Sequence, residues 1–173
     1  MTTILSEQQM ALTVKRLAHQ MLENNAALEN TVLIGLQPRG IYLSDRIVAE
    51  LKEMLPKKKL HYGKLDITFY RDDVRKSLHI ANATDIPFSV EGKTVILIDD
   101  VLYTGRTIRA ALDALLDFGR PSKVALCVLI DRRFSRELPI QPDFAGKAID
   151  TIVTDRVKVN WQEKDEKDEV VLV

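Results

Sequence analysis

The fold of this chain is decided by a continuous stretch that joins a buried strand to the start of a helix: Val95-Ile96-Leu97-Ile98-Asp99-Asp100-Val101-Leu102-Tyr103-Thr104-Gly105-Arg106-Thr107. The four branched apolar residues at 95–98 are typical of a strand that is buried on both faces of a parallel sheet. Two carboxylates follow, and then a short loop with one glycine and two threonines. Beyond the loop, apolar residues recur at helical spacing until Gly119 and Pro121, which predicts a helix that starts near Thr107.

The position of the two carboxylates predicts a ligand site. In open α/β sheets, ligands bind in the crevice at the carboxyl ends of the strands. The start of a helix, with free backbone N–H groups and two nearby hydroxyl groups, suits a phosphate. Asp99 and Asp100 suit what lies beside that phosphate, either sugar hydroxyls or a magnesium ion that the substrate carries. One ligand that combines these parts is 5-phosphoribosyl-1-pyrophosphate.

Length and composition narrow the class of protein. At 173 residues the chain is long enough for one well-buried core, so we expect a single domain over residues 1–173. The 25 basic and 25 acidic residues cancel, so a polyanion would need a local basic patch. Cys127, the one cysteine, lies in an apolar run, which excludes an internal disulfide and predicts burial. With neither a membrane-length apolar stretch nor a signal-peptide core, we expect a cytoplasmic protein.

Periodicity predicts strands in alternation with helices. The predicted strands are residues 31–36, a half-buried one marked by Leu65, Ile67 and Phe69, then 95–98, 123–130, 148–154 and 157–159. The predicted helices are one that begins at a capping box of Ser6 and Gln9 and ends near Asn24, one over about 41–55, and the one near Thr107. This alternation implies an α/β fold with a mostly parallel central sheet flanked by helices. Residues 70–88 are predicted to be mostly loop, and the charged run 163–169 a solvated turn or end.

Residues 95–107 resemble the signature of the type I phosphoribosyltransferases, which has four apolar residues, two acids and Thr-Gly-x-Thr. Other stretches resemble one branch of that family, the pyrimidine operon attenuation regulators that are also uracil phosphoribosyltransferases: 39–43, 66–68, 70–73, 119–122 and 136–140. The resemblance covers most of the chain, thinning before Leu5 and after about Asn160. It implies a type I phosphoribosyltransferase fold with a small hood, built mainly from about residues 130–160.

The resemblance also implies roles for the residues of the signature. Asp99 and Asp100 would bind the ribose hydroxyls and help to place magnesium, and the loop 103–107 would hold the 5′-phosphate. The implied donor-binding stretch is therefore Asp99, Asp100, Val101, Leu102, Tyr103, Thr104, Gly105, Arg106 and Thr107. Helix capping is the alternative for Thr104 and Thr107. Here the two roles coincide, because the exposed N–H groups of a helix start are also the phosphate site.

Arg39 and Gly40 follow another short strand and open another helix. From the residues alone, an ordinary strand–helix turn is the simpler interpretation. The resemblance implies instead that this loop binds pyrophosphate through backbone amides and an arginine, with glycine allowing a close approach of the backbone. Pro38 departs from the threonine of the regulators, restricts Gln37 and removes one N–H group.

Two further segments gain a role only from the resemblance. Arg71, with Asp72 and Asp73, heads the long loop, and the matching family loop closes over the reacting centre and excludes water. This makes Arg71 a candidate catalytic residue, with a solvated charged turn as the alternative. Asp131 and Arg132 end the next strand, where the family's base-recognition segment begins. Backbone groups usually read the base there.

Two functions from different classes fit these observations. One is an enzyme that transfers phosphoribosyl to N1 of uracil, giving UMP and pyrophosphate, with a purine or orotate transferase as the alternative within the same fold. The other is an RNA-binding regulator of pyrimidine gene transcription that senses uridine nucleotides. Its basic face, shared across a homodimer or larger oligomer, would comprise Lys15, Arg16, His19, Arg136 and Lys147.

Two further possibilities receive no support from the sequence. A phosphorylated receiver domain would need an acidic pair near the N-terminus and a lysine after a late strand, and the chain has neither arrangement. A metal site built by the protein would need ligands at coordinated spacing, and His19, His61 and His79 have none. We therefore expect magnesium to arrive with the phosphoribosyl donor.

Overall fold

The structure, a computed structural model, describes residues 1–70 and 84–173. Its strands are β1 (Thr2–Leu5), β2 (Thr31–Gln37), β3 (His61–Asp66), β4 (Thr94–Leu102), β5 (Lys123–Arg133), β6 (Phe144–Asp150), β7 (Val157–Asn160) and β8 (Glu169–Leu172). Its α-helices are α1 (Glu7–Asn24), α2 (Gly40–Met54), α3 (Arg106–Leu115) and the single turn α4 (Gln162–Asp165). Short 3₁₀ helices follow at Ala26–Leu28, Thr68–Tyr70 and Leu116–Phe118.

A parallel sheet of five strands forms the centre, in the order β3-β2-β4-β5-β6. The interior position predicted for 95–98 is confirmed, because β4 lies between β2 and β5 and these four residues are fully buried. The strand is longer than predicted and continues through Asp99 and Asp100 to Leu102. The two carboxylates are therefore held on regular backbone at the carboxyl edge of the sheet.

Each face of this sheet is covered by helix. Buried residues of α1 and α2 pack on one face, and α3 packs on the other through Ile108, Ala111 and Leu115. Removing one such Leu or Ile side chain from water contributes about 1.5–3 kcal/mol. Because α2 and α3 each follow a parallel strand, both helices begin at the carboxyl edge of the sheet.

A second, antiparallel sheet was not predicted. It has the order β1-β8-β7 and joins the two ends of the chain. Trp161, which follows β7, is fully buried, with its ring centroid 6.1 Å from that of Tyr42 and the Arg46 guanidinium 4.8 Å above it. Arg46 also forms ion pairs of 2.8 Å with Glu163 and with Asp168. The charged run 163–169, predicted to be solvated, thus anchors this sheet to α2.

Two strand boundaries differ from the prediction. The strand expected around Leu65, Ile67 and Phe69 is β3, which ends at Asp66, and Thr68–Tyr70 is a 3₁₀ helix. The strand expected over 148–154 is β6, which runs four residues earlier, so that Ile152 and Val153 are exposed. In both cases apolar residues just beyond a strand extended the predicted pattern.

Three expectations concern organisation. The single domain over 1–173 and the hood from about 130–160 stay predictions. Of the loop predicted over residues 70–88, residues 71–83 lie outside the described part of the chain, and Asp85 forms an antiparallel bridge to Lys64. Among the helices of residues 1–70 and 84–173, none combines the length and apolarity that crossing a bilayer requires.

Candidate active site

The loop before α2 packs closely against the end of β4. A Cβ atom at Gly40 would lie 2.7 Å from the Ile98 carbonyl oxygen and 2.9 Å from Asp99 Oδ1. Any larger residue would therefore push the start of α2 away from β4. Glycine at this position brings the predicted pyrophosphate loop directly against the predicted ribose carboxylates.

Asp99 and Asp100 differ in their surroundings. Asp99 is buried, and its Oδ1 accepts the Asp100 backbone N–H at 2.9 Å. Asp100 Oδ2 lies 3.5 Å from Arg39 Nε. Burial raises the pKa of the Asp100 carboxyl group, although Arg39 and the Val101 backbone N–H both favour its charged form. The site therefore presents two adjacent carboxylates, one of them beside an arginine.

The loop between β4 and α3 encloses the start of the helix. Gly105 is the N-cap residue and has φ of +94°. As a glycine it has no side chain that could cap the helix. Thr104 Oγ1 accepts the Arg106 backbone N–H at 3.3 Å. A cavity of about 310 Å³ opens here, lined by Asp99, Val101, Leu102, Tyr103, Thr104, Gly105, Arg106, Thr107, Ile108 and Glu137. Backbone donors and a helix start that face a polar cavity can hold a phosphate group.

Arg39 is held by groups from three parts of the chain. Besides its ion pair with Asp100, its Nη2 donates to the Val159 carbonyl oxygen and to Asp165 Oδ2, the latter at 3.2 Å. The Gln37–Pro38 peptide bond before it is cis. Sequence reasoning found Arg39 but missed Asp165, because the charged run that contains it resembles a solvated tail.

The segment after β5 lies over the loop between β4 and α3. The backbone N–H groups of Glu137 and Leu138 both donate to the Thr104 carbonyl oxygen, at 2.9 and 3.2 Å. Arg106 Nε donates to Glu137 Oε2 at 2.7 Å. The predicted base-recognition segment and the predicted phosphate loop are therefore hydrogen-bonded to each other.

Two arginines fix the shape of this segment. Arg132 is buried, stacks on the Tyr103 ring at 4.0 Å, and donates to Thr151 Oγ1 and the Asp155 carbonyl oxygen. Arg136 donates to Asp131 and to three backbone carbonyl oxygens, those of Tyr103, Arg132 and Ile140. The Arg132 side chain thus holds Tyr103 and the backbone at Asp155 in place.

The residues predicted to bind RNA do not all lie together. Lys15, Arg16 and His19 are exposed on α1, and Arg16 donates to the carbonyl oxygens of Ala145 and Gly146 on β6. Lys147, the next residue of β6, donates to the Ile4 carbonyl oxygen at 3.0 Å. The Arg136 guanidinium group instead donates hydrogen bonds within the segment at the carboxyl edge of the sheet. Four of the five predicted residues thus share the surface of α1 and β6.

Two further expectations concern catalysis and metal. Arg71, predicted to be catalytic, lies with Asp72 and Asp73 outside the described residues. Among the residues that the structure describes, no three or more histidine, cysteine or acidic side chains group closely enough to hold a metal ion. Within that part of the chain, Asp99 and Asp100 are the adjacent carboxylates that a metal ion at this site would contact.

Comparison with known proteins agrees with this arrangement. Residues 1–167 match the model of the phosphoribosyl transferase domain, and the chain belongs to that family. Within the family it is a member of the PyrR group. It is 47% identical over 169 residues to the bifunctional protein PyrR of Brevibacillus brevis, covering 96% of this chain and 93% of the relative. It is 45% identical over 171 residues to the protein of the same name from Bacillus mycoides, covering 96% and 94%.

Solved structures show the same fold at low identity. The hypoxanthine phosphoribosyltransferase of Trypanosoma cruzi superposes with a TM-score of 0.72 at 16% identity, over 99% of this chain and 95% of that one. A hypoxanthine-guanine phosphoribosyltransferase of Bacillus anthracis gives 0.70 at 18% identity, over 100% and 97%. The chain therefore has the type I phosphoribosyltransferase fold that the signature predicted.

Proposed function

We propose that this protein transfers phosphoribosyl from 5-phosphoribosyl-1-pyrophosphate to N1 of uracil, releasing pyrophosphate and forming UMP. The observation that carries the proposal is the meeting of three elements at one edge of the sheet. Residues 103–107 line a polar cavity with Asp99, Asp100 stands beside Asp99, and Arg39 contacts Asp100 from the loop before α2. These are the parts needed to hold a sugar between a phosphate and a pyrophosphate.

The chemistry needs little covalent participation from the protein. As the bond from the sugar carbon to pyrophosphate breaks, positive charge grows on the sugar and negative charge on the leaving group. Asp99 and Asp100 lie where they can hold the ribose hydroxyls and stabilise the cationic sugar, while Arg39 and the backbone around Gly40 stabilise the pyrophosphate. Preorganised charges of this kind are usually the largest single contribution to catalysis.

Magnesium enters this proposal as part of the substrate. The acidic pair offers hard oxygen donors, which suit magnesium, but a pair alone does not make a protein cage for the ion. The residues present therefore fit an ion that arrives on the donor's pyrophosphate and is met by Asp99 and Asp100. Bound there, the ion would neutralise charge on the leaving group.

The choice of base rests on the segment after β5. Asp131 and Arg132 lie at the end of β5, where they pair with β6. The two arginines described above hold this strand end and the backbone that follows it, so the backbone beside the base is held in place before a base binds. Uracil is the base that the sequence resemblance implies.

A pyrophosphate-release assay tests the proposal. Uracil with the phosphoribosyl donor and magnesium is expected to release pyrophosphate and to form UMP stoichiometrically. Orotate, hypoxanthine and guanine are the comparison substrates. Turnover with hypoxanthine in preference to uracil would overturn the assignment of the base, and release with none of these bases would overturn the enzymatic proposal.

A second function, binding of pyrimidine leader RNA, is supported by the surface of α1 and β6. Phosphate contacts dominate such affinity and make it fall steeply with salt. Lys15, Arg16, His19 and Lys147 provide a local basic face on a chain of zero formal net charge. A homodimer would double the number of contacts, and a larger oligomer would add more.

Filter binding against the organism's own leader RNA, with and without UMP, tests this second function. Lys15→Ala with Lys147→Ala is expected to weaken binding and to reduce the salt slope by roughly two. The matched control is Lys57→Ala with Lys59→Ala, which removes the same charge from the exposed connection after α2. An equal loss in both double variants would show that net charge, and not this face, determines binding.

A further inference from the structure

The turn between β7 and β8 reaches the pyrophosphate loop through one carboxylate. Asp165 Oδ2 accepts two hydrogen bonds, from the Trp161 backbone N–H at 3.0 Å and from Arg39 Nη2 at 3.2 Å. Arg39 Nη2 also donates to the carbonyl oxygen of Val159. A segment far from Arg39 in sequence therefore determines where its guanidinium group lies.

The pattern of contacts leaves one side of that guanidinium available. The Nε and Nη2 edge faces the protein, towards Asp100 on one side and Asp165 on the other. Nη1 makes no hydrogen bond to any residue in 1–70 or 84–173, and the side chain is 31% exposed. A planar guanidinium that is fixed along one edge presents its remaining N–H groups in a fixed direction.

We propose that Asp165 is a positioning residue for Arg39, and that it thereby contributes to binding of the donor's pyrophosphate without touching it. The proposal rests on the function proposed above, in which Arg39 meets the pyrophosphate. Asp165 holds the arginine in its binding orientation before the ligand arrives. The arginine side chain is then ordered before the ligand binds, so the entropy cost of ordering it does not weaken binding.

Asp168 shows that this role is separate from holding the turn together. Its Oδ1 accepts the Gln162 backbone N–H at 2.8 Å, and its carboxylate pairs with Arg46. Asp165 and Asp168 therefore do the same structural work, one backbone N–H and one arginine each. They differ in the arginine, because Arg46 stacks on Trp161 and does not take part in the site.

This pair gives a matched experiment on the full-length protein. In D165N the amide oxygen can still accept the Trp161 N–H, but the ion pair with Arg39 is lost. We expect the KM for the phosphoribosyl donor to rise about tenfold, as loss of a charged hydrogen bond implies. The kcat and the KM for uracil are expected to stay within about twofold. In D168N all three constants are expected to stay within about twofold of the wild type.

A double-mutant cycle identifies the partner through which Asp165 acts. In the background of R39Q, adding D165N is expected to change the donor KM by less than about twofold, because the residue has lost the group that it positions. A purely structural role would cost the same factor in both backgrounds. Equal effects of D165N with and without Arg39, or equal effects of D165N and D168N, would overturn the proposal.

Calorimetric titration with magnesium pyrophosphate separates this inference from the proposed function. D165N is expected to bind this probe about tenfold more weakly than D168N, whether or not uracil is turned over. Wild-type binding without uracil-dependent turnover would contradict the enzymatic proposal alone. Wild-type turnover with equal binding by the two variants would contradict the positioning role alone.

A fold control keeps the outcome interpretable. Trp161 is the one tryptophan of the chain and is fully buried beside this turn, so its fluorescence reports directly on the turn. Should D165N lose that signal, Asp165→Glu keeps the charge and moves it by one methylene. That variant is expected to raise the donor KM with the Trp161 signal retained, and an unchanged KM would overturn the proposal.

Discussion

The helices α1 and α3 begin in opposite ways. At α1 the Ser6 side chain accepts the Gln9 N–H at 3.4 Å, and the Gln9 side chain accepts the Ser6 N–H at 2.9 Å. At α3 the N-cap is Gly105, which has no side chain to offer, and the helix start faces a cavity of about 310 Å³. The first helix is closed by a capping box, whereas at the second Thr104 Oγ1 accepts the Arg106 N–H and the helix start faces the cavity.

The start of α2 follows α3 in this respect. Its N-cap residue Arg39 makes no side-chain capping bond, and its first residue is Gly40. The helices α2 and α3 begin at the carboxyl edge of the parallel sheet, beside Asp99 and Asp100, whereas α1 begins after a strand of the other sheet. The single turn α4 also lacks a side-chain capping bond at its N-cap residue, Trp161. Among the three longer helices of the described residues, the one with a capping box begins away from the predicted ligand site, and the two without a side-chain bond at the N-cap residue begin beside it.

The strongest test of this contrast removes the charge between the two uncapped helices. Asp99→Asn with Asp100→Asn is expected to lower uracil-dependent pyrophosphate release by at least about 10²-fold, since in the proposed function these charges stabilise the sugar in the transition state. The melting temperature is expected to change little, because the carboxylates lie at the edge of the sheet and not in its core. Pyrophosphate release at saturating donor and the thermal melt are the two measurements.

The control for that variant is Glu23→Gln with Glu53→Gln. It removes the same charge from exposed positions on α1 and α2. Activity within about twofold of wild type is expected. Near wild-type turnover in the Asp99 and Asp100 variant would show that the edge between the helices is not the reacting centre.

A smaller effect is expected from Gly105→Ala at the start of α3. At φ of +94° an alanine is strained by about 1–2 kcal/mol, and its Cβ would lie 3.3 Å from Ile140 Cδ1. Relief of that strain displaces the loop, so we expect kcat/KM for the donor to fall roughly tenfold to hundredfold. Gly92→Ala is the matched control, because Gly92 also has positive φ, +66°, but has open space around its Cβ position. Equal losses of activity in both variants would contradict the comparison.

The reverse case is Ser6→Ala at the start of α1. Losing this cap is expected to lower the free energy of unfolding by about 1 kcal/mol and the melting temperature by roughly 2–4 °C. The KM for the donor should be unchanged, because this helix start has no ligand. Chemical denaturation and steady-state kinetics measure the two effects, and a raised donor KM would break the distinction between the two kinds of helix start.

The smallest effect concerns pH and the turn that anchors the second sheet. A hydrogen bond from the Trp161 N–H, together with Arg39, lowers the pKa of Asp165. Partial burial opposes ionisation of Asp168, but hydrogen bonds from Arg46 and Gln162 lower its pKa as well. Groups with lowered folded-state pKa values add stability above the ordinary aspartate pKa of about 4, and this stability is lost as pH falls through the folded-state values.

Acid titration of Trp161 fluorescence measures that loss. The signal is expected to be constant above about pH 5 and to change below about pH 4, ahead of the far-UV circular dichroism of the whole chain. In D165N/D168N the pH dependence of this transition is expected to flatten. A transition near neutral pH would show that other groups control the anchor.

What the sequence predicted well was local. The strand at 95–98 and the capping box of Ser6 and Gln9 are each encoded by neighbouring residues, and the structure confirms both. The strands β1 and β8 were missed because each has four residues and gains its stability from a partner at the other end of the chain. Asp165 was missed for the same reason, since its partner Arg39 is distant in sequence and a charged run carries no sign of one.

The hydrogen bonds between the loop 103–107 and the segment after β5 have a thermodynamic consequence. Thr104 holds the backbone of Glu137 and Leu138, and Arg136 holds the carbonyl of Tyr103. These hydrogen bonds link the two segments, so a ligand that narrows the conformations of one is expected to narrow those of the other. By linkage, any change that a phosphate bound at residues 103–107 makes in the affinity for a base is matched by the same factor in the reverse direction. Under the proposed function, the intact nucleotide is therefore expected to bind as one cooperative unit and not as the sum of two independent fragments.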